Sequence, residues 1–318
     1  MISIKEQEKT SMDREELVRL HIDQRIKSLG RELTDEETDR VSRYIDYLLN
    51  SFITRNFLAY ENEELVGWLG VMNVKSVTIL IWEDHPIIFS DSNKELIALE
   101  LIQSCIKCAN MKNVENVRIF TIESEERRPR YQELKQYFLQ AGMKQTHTVL
   151  CMKNQLTPDI IRDVSINYDY HVESMNLQDR QLLMDCYMEI FAESYDNFTN
   201  SLDSKEYKVW NFTLDAKMTE DSRVIKKDKE IIAISRVVDY GDFMELGPIG
   251  VLPDHRGKGL GNVLMEECLA SLLEQDKTNT YLEVDISNTP AIKLYDKYGF
   301  KEVSKKHGFL WRATEYKE

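Results

Sequence analysis

Glu245-Leu-Gly-Pro-Ile-Gly-Val251 reads as a strand, Leu252-Pro-Asp-His255 breaks it, and Arg256-Gly-Lys-Gly-Leu-Gly261 is a glycine-rich turn. An apolar helix follows, because Leu264, Cys268, Leu269, Leu272 and Leu273 fall on one stripe at helical spacing. Glycines at the mouth of a helix let the chain aim several backbone N–H groups at one spot. Those donors, with the positive end of the helix dipole, make an anion site. A Cβ at a closely approached glycine would hold a phosphate away from the backbone, so a pyrophosphate suits this turn. The spacing is not G-x-G-x-x-G and no Gly-Lys-Ser/Thr follows, which removes the dinucleotide and P-loop readings.

A second stretch comes after the helix. Tyr281-Leu-Glu-Val-Asp-Ile-Ser-Asn288 leads into Ala291-Ile-Lys-Leu-Tyr295-Asp-Lys-Tyr-Gly299-Phe300, a strand, an asparagine, a helix with Leu-Tyr, and Gly-Phe. Arg256, Gly259 and Gly261 also fill the fixed positions of an R/Q-x-x-G-x-G/A signature. The two motifs in this order resemble the GCN5-related N-acetyltransferase (GNAT) superfamily. The resemblance implies acetyl-CoA as co-substrate and no metal.

It also implies roles for particular residues. Backbone around Ile249, Gly250 and Val251 would pair with pantetheine and polarise the thioester, where family members splay two parallel strands apart. Gly247-Pro248 suits such a splay, since proline removes a ladder donor and glycine weakens a strand. The backbone of Arg256, Gly257, Lys258, Gly259, Leu260 and Gly261 would hold the pyrophosphate. Amides near Arg256, Gly257, Gly259 and Gly261 would donate, and the Arg256 and Lys258 side chains would add charge. Tyr295 matches the tyrosine that protonates the leaving thiolate. Asn288 would touch the cofactor, cap the following helix, or both. Glu245 lies where some members carry a general base. Glu283 and Asp285, two apart on one strand face, His255, or a water chain are the alternatives.

Composition agrees with a folded enzyme. The chain has 318 residues, enough for two domains, with 42% hydrophobic and 9% aromatic residues. A net charge of −14 argues against nucleic acid as the main partner and would favour approach of a cationic acceptor, or simply maintain solubility. The start, Met1-Ile-Ser-Ile-Lys-Glu-Gln-Glu-Lys, has no apolar stretch of signal-peptide length, and no window has the apolar length of a membrane span. A cytoplasmic protein is expected. The five cysteines lack disulfide-scaffold spacing; Cys105 and Cys108, within an expected helix, read as a buried pair and not a zinc or redox site.

The chain contains the same α+β pattern twice. Tyr170–Ser174, a helix over 177–194, a helix over 204–218, strands at 223–226, 230–240 and 243–251, then the motifs and terminal strand pieces at 300–304 and 307–313 form one unit. Helices over 14–29 and 34–53, strands at 57–61, 64–74 and 77–89, a helix over 94–111, a strand at 117–122, a helix near 131–139 and a closing strand at 142–153 form another. Glu61–Gly67 parallels Lys227–Ala233, and Gly142–Lys153 parallels the stretch from Gly299. The expectation is two GNAT-like domains in tandem, 1–153 and 168–318, with 154–167 as linker. Each would be a mixed, mainly antiparallel sheet flanked by helices. In the first domain the phosphate-turn position is Ser90-Asp-Ser-Asn-Lys-Glu95, with no glycine and two carboxylates, so acyl-CoA should bind only the second.

Phe191, Tyr195, Phe198, Tyr207, Trp210 and Phe212 crowd the early helices of the second domain, where the resemblance places acceptor contacts; aromatics at such spacing more often form core. The expected function is direct acetyl transfer in a ternary complex to an unidentified small-molecule or peptide amine, by a monomer or homodimer. No cysteine is placed as an acyl-enzyme nucleophile. A non-catalytic acyl-CoA-binding or sensing protein is the alternative.

Overall fold

The computed structural model of the protein describes residues 2–8, 13–47, 49–50, 55–74, 77–162, 166–167, 169–176, 180–192, 197–203, 206 and 219–313. The chain forms two compact units, one of Met1–Gln145 with His307–Glu318, the other of Thr146–Lys306.

The first unit contains β1 (Ile2–Glu8), α1 (Arg14–Leu29), α2 (Asp35–Tyr47), β2 (Arg55–Glu61), β3 (Glu64–Val74), β4 (Thr78–Ile81), β5 (Ile87–Ile88), α3 (Lys94–Met111), β6 (Asn116–Glu123) and α4 (Arg128–Gln140). Local chemistry sets several of these ends. Asp13 caps α1 through the Glu16 amide at 3.0 Å, and Gly30 closes it in the left-handed conformation at φ 66°. Thr34 and Glu37 form a reciprocal capping box before α2. The sheet runs β1-β2-β3-β4-β6, with only β4 and β6 parallel among its described pairs. Alternation along β2 sends Phe57 and Ala59 into a core with α3 and α4, and Leu58 into a second core with Leu17, Ile45 and Trp68. Strand β1 is a finding beyond the sequence reading: Ile2 and Ile4 pack on the α3 core, and the strand pairs antiparallel with β2. The expected strand over 77–89 is two short strands, with the His85–Pro86 cis bond between them. Cys105 and Cys108 are buried in α3, as expected of a helical pair.

The second unit contains most of β7 (Lys144–Gln155), then β8 (His171–Ser174), α5 (Arg180–Ala192), α6 (Asn197–Asn200), β9 (Arg223–Lys227), β10 (Glu230–Asp239), β11 (Met244–Val251), α7 (Leu260–Glu274), β12 (Asn279–Asp285), α8 (Thr289–Lys297) and the start of β13 (Lys301–Arg312). Its sheet runs β7-β12-β11-β10-β9-β8, with β11 and β12 parallel and the other described pairs antiparallel. This is the mixed, mainly antiparallel α+β architecture expected. Most of the expected helix over 204–218 lies outside the described residues, with Tyr207, Trp210 and Phe212, as do Tyr195 and the Phe198 side chain.

The unit boundaries fall inside strands, at 145/146 in β7 and 306/307 in β13. Residues 146–153 therefore pack with the C-terminal unit and 307–313 with the N-terminal one, which the chain order of the repeats does not show. The expected terminal strand pieces are one continuous strand. Among the described residues, no helix is long and apolar enough to cross a membrane.

Candidate active site

A cavity of about 630 Å³ opens in the C-terminal unit where β11, the glycine turn, α5 and α8 meet. Its walls include Ile249, Gly250 and Val251 of β11, Arg256 and the three glycines of the turn, Leu260, and Asn288. Of the expected cofactor residues, only Lys258 and Tyr295 are absent from this wall.

The turn is built by backbone conformation. Pro253–His255 form a single 3₁₀ turn, and Gly257 and Gly259 then take φ of 74° and 82°, which L side chains rarely adopt. Open space surrounds both positions where a Cβ would stand. Helix α7 starts at Leu260 with Gly259 as an N-cap that has no side chain to bond the first turn. Among the described residues, none of the amides of Gly257, Lys258, Gly259, Leu260 and Gly261 donates to a backbone carbonyl. The Arg256 amide, expected as a donor, is already bonded to the Pro253 carbonyl at 3.2 Å.

The two basic side chains are also engaged. Arg256 Nε donates to the Val251 carbonyl at 3.1 Å and its Nη2 to the Ile190 carbonyl at 2.9 Å, so the guanidinium joins β11, the turn and the end of α5. Lys258 Nζ donates to the Asp254 carbonyl at 2.9 Å. Both charges remain near the turn, held by local backbone.

Strands β11 and β12 pair in parallel at Met244–Thr280 and Glu245–Tyr281, with no described pair beyond Glu245. The register of β11 against β10 shifts just after this point, at Gly247-Pro248, where φ of Gly247 is 131° and proline supplies no N–H. Past this irregularity, Leu252 donates its amide to Ile232 of β10 at 2.9 Å. Alternation along β11 then turns the Gly250 amide toward β10 and those of Ile249 and Val251 away from it, along the edge that β12 has left. Gly250 lets α5 come close: a Cβ there would stand 2.4 Å from Ile190 Cγ2.

Tyr295 packs in the core of the C-terminal unit, edge-on to Phe300 with ring centroids 6.2 Å apart, on the helix that gives Leu294 to the cavity. Burial raises its hydroxyl above the usual phenol range, so it stays protonated. Asn288 caps α8, accepting from the Ala291 amide at 3.2 Å, and lines the cavity. Glu245 is half-buried on β11, and burial raises its carboxyl above the ordinary value. Arg236, 3.3 Å away, opposes that shift, and Glu283 adds to it. Asp285, an alternative base, accepts from Ser287 and from the backbone and side chain of Asn197, so it acts as a structural anchor. His255 Nδ1 is 3.2 Å from the Tyr170 hydroxyl. Sequence reading missed Arg236 as the partner of Glu245, because a lone arginine on a strand carries no motif. Nothing local announces the contact of Ile190 with Gly250.

The sheets and their helices form GNAT-type folds. Two descriptions match by sequence: the Acetyltransferase (GNAT) family over residues 183–300, and an Acetyltransferase (GNAT) domain over residues 8–142. The chain belongs to the GNAT superfamily as a tandem, two-domain member. An N-alpha-acetyltransferase of Sulfurisphaera tokodaii is 45% identical over 56 residues, 17% of this chain and 34% of that protein. A [ribosomal protein bS18]-alanine N-acetyltransferase of Salmonella typhimurium is 34% identical over 105 residues, 33% of this chain and 66% of that protein. The match thus spans a third to two thirds of these relatives' length. A GCN5-related N-acetyltransferase from Sphaerobacter thermophilus superimposes with a TM-score of 0.62 at 14% identity, covering 98% of this chain and 95% of its own. A tandem GNAT protein from the clavulanic acid biosynthesis pathway gives 0.58 at 12% identity, covering 98% and 99%. At these identities the structures speak for the fold.

Proposed function

We propose that the protein moves an acetyl group from acetyl-CoA to an amine within one ternary complex. The observation that carries this reading is the run of five unused amides at 257–261, at the positive end of α7 and at the mouth of a cavity large enough for an acyl-pantetheine arm. The pyrophosphate sits on those amides, and pantetheine follows the edge of β11 exposed by the departure of β12. An amide of Ile249 or Val251 donates to the thioester oxygen as it gains charge, a contact worth about 10²–10³ in rate.

Glu245 removes a proton from the acceptor amine, directly or through water, and the amine nitrogen attacks the carbonyl carbon. The tetrahedral intermediate collapses with cleavage of the C–S bond; the neutral Tyr295 hydroxyl gives its proton to the departing thiolate, and the extra proton left on the former amine nitrogen returns to Tyr295 through water, giving the neutral amide. The amide product and CoA leave. No cysteine lines the cavity, which favours direct transfer over an acyl-enzyme. The acceptor is an amine of a small molecule or a peptide N-terminus, the latter in line with the names of the two relatives.

The C-terminal unit performs the transfer, and the N-terminal unit does not take acyl-CoA at its equivalent helix mouth. There Asp91 pairs with Lys27 at 3.1 Å and Lys94 at 3.6 Å, so a carboxylate of the protein stands where a phosphate would. The cytoplasm is the proposed compartment, consistent with five buried, unpaired cysteines. The deciding experiment is isothermal titration of acetyl-CoA into wild type and Gly259→Trp. One site per chain, lost in the variant, is expected. No binding by the wild type would sink the transferase reading, and two sites would overturn the silent N-terminal domain.

A further inference from the structure

The N-terminal unit holds a cavity of its own, about 650 Å³, between α1, α2, the segment before β5 and the start of α4. Its ionisable groups oppose the character of the chain. The protein carries a net charge of −14, yet four arginines line this space, Arg25, Arg40, Arg127 and Arg130, against the carboxylates of Asp84 and Glu126. Arg127 pairs with Asp84. Arg130 is spent on the fold: it donates to the carbonyls of Asp84 at 2.9 Å and Pro86 at 2.5 Å, and to Glu133 at 2.5 Å. Arg40 meets only the exposed Glu36, one helical turn away at 3.1 Å, a pair that solvent screens. Arg25 has no ion pair among the described residues. Arg25, on the same wall as Glu126, therefore offers the cavity a guanidinium that no described carboxylate pairs.

The inner wall adds a second, independent observation. His21 is only 7% exposed, lines the cavity, and its Nδ1 makes no hydrogen bond among the described residues. The ring is held edge-on to Trp68 and Phe89, each 5.8 Å between centroids, and tilted to Tyr44 at 6.2 Å. Burial and the Arg25 charge lower its pKa to about 4 although the Leu17 carbonyl favours the proton, so the ring is neutral at ordinary pH. A buried polar atom without a partner is costly, and such atoms in a cavity wall are commonly satisfied by what enters the cavity.

We propose that this cavity binds a small organic anion, a carboxylate or a phosphate ester, whose charge meets Arg25 and Arg40 and whose polar body reaches His21 Nδ1. An arginine fork matches either head group. The site is separate from the acyl-CoA cavity and does not depend on that reading. It gives the N-terminal domain a ligand of its own.

The test is calorimetric titration of the full chain with citrate and, separately, with inorganic phosphate. Wild type, Arg25→Glu, Arg25→Lys, Arg40→Glu and Gly259→Trp are compared. Saturable one-site binding of at least one probe is expected, weakened about tenfold or more by either charge reversal. Arg25→Lys and Gly259→Trp should keep it. Citrate alone would mark a carboxylate ligand and phosphate alone a phosphate ester. Both arginines are exposed, so the reversal variants should fold, which thermal melts are to check. The proposal is overturned if neither probe saturates the wild type, or if binding survives both charge reversals and disappears in Gly259→Trp.

Discussion

Glu245 is the residue whose environment suits a base. Burial raises its carboxyl, with Glu283 adding to the effect and Arg236 opposing it, so the proton it takes from an amine is held more firmly than by a solvated carboxylate. The sign follows directly: as pH falls through that raised value the base is protonated and turnover is lost. The acid limb of kcat/KM should inflect above the ordinary glutamate value of about 4.3. In Glu245→Gln that inflection should vanish and kcat fall by about 10²–10⁴, with acetyl-CoA affinity retained. An unchanged profile in the variant would transfer the role to water. This candidate was readable as a carboxylate on the strand before the turn; its burial and its arginine partner were not, because both come from neighbouring strands.

At the scale of elements, the glycine turn was readable because its cause is local. Gly257 and Gly259 need positive φ, and Gly259 starts a helix, all encoded within a few residues. What holds the turn against α5 was not readable: Arg256 binds the Ile190 carbonyl, and Ile190 packs on Gly250 across sixty positions of sequence. The Arg256 and Lys258 side chains, expected to add charge at the turn, also bind backbone carbonyls there. Gly250→Ala should destabilise the protein by about 1–3 kcal/mol, because the new methyl meets a β-branched carbon that has little freedom to move. Ile190→Ala alone should cost about 2–5 kcal/mol by opening a cavity. The double variant should cost clearly less than the two together, as urea unfolding of the four proteins would read. Simple additivity would mean that α5 does not press on β11.

For the whole molecule, the N-terminal unit is completed by the end of the chain. Phe309 is 1% exposed and packs on Phe138 with ring centroids 5.3 Å apart; Trp311 shares that core. His307 stacks on Tyr131 at 4.3 Å and contacts Glu123 at 3.0 Å. Phe309→Ala should therefore cost about 3–5 kcal/mol, and the loss should appear as hydrogen exchange in α3 and α4, far in sequence from the substitution. Exchange confined to 146–306 would contradict this assignment. The sequence alone determined the α+β pattern, its repetition and the glycine turn before α7, since periodicity, glycine φ and helix ends depend on near neighbours. Only the tertiary structure decided that β7 and β13 each pass from one unit to the other, that α5 is tied to the turn, and that a cationic cavity exists in an acidic chain. Strand partners and cavity walls are assembled from distant segments, and an alternating strand carries no mark of which neighbour it will pair with.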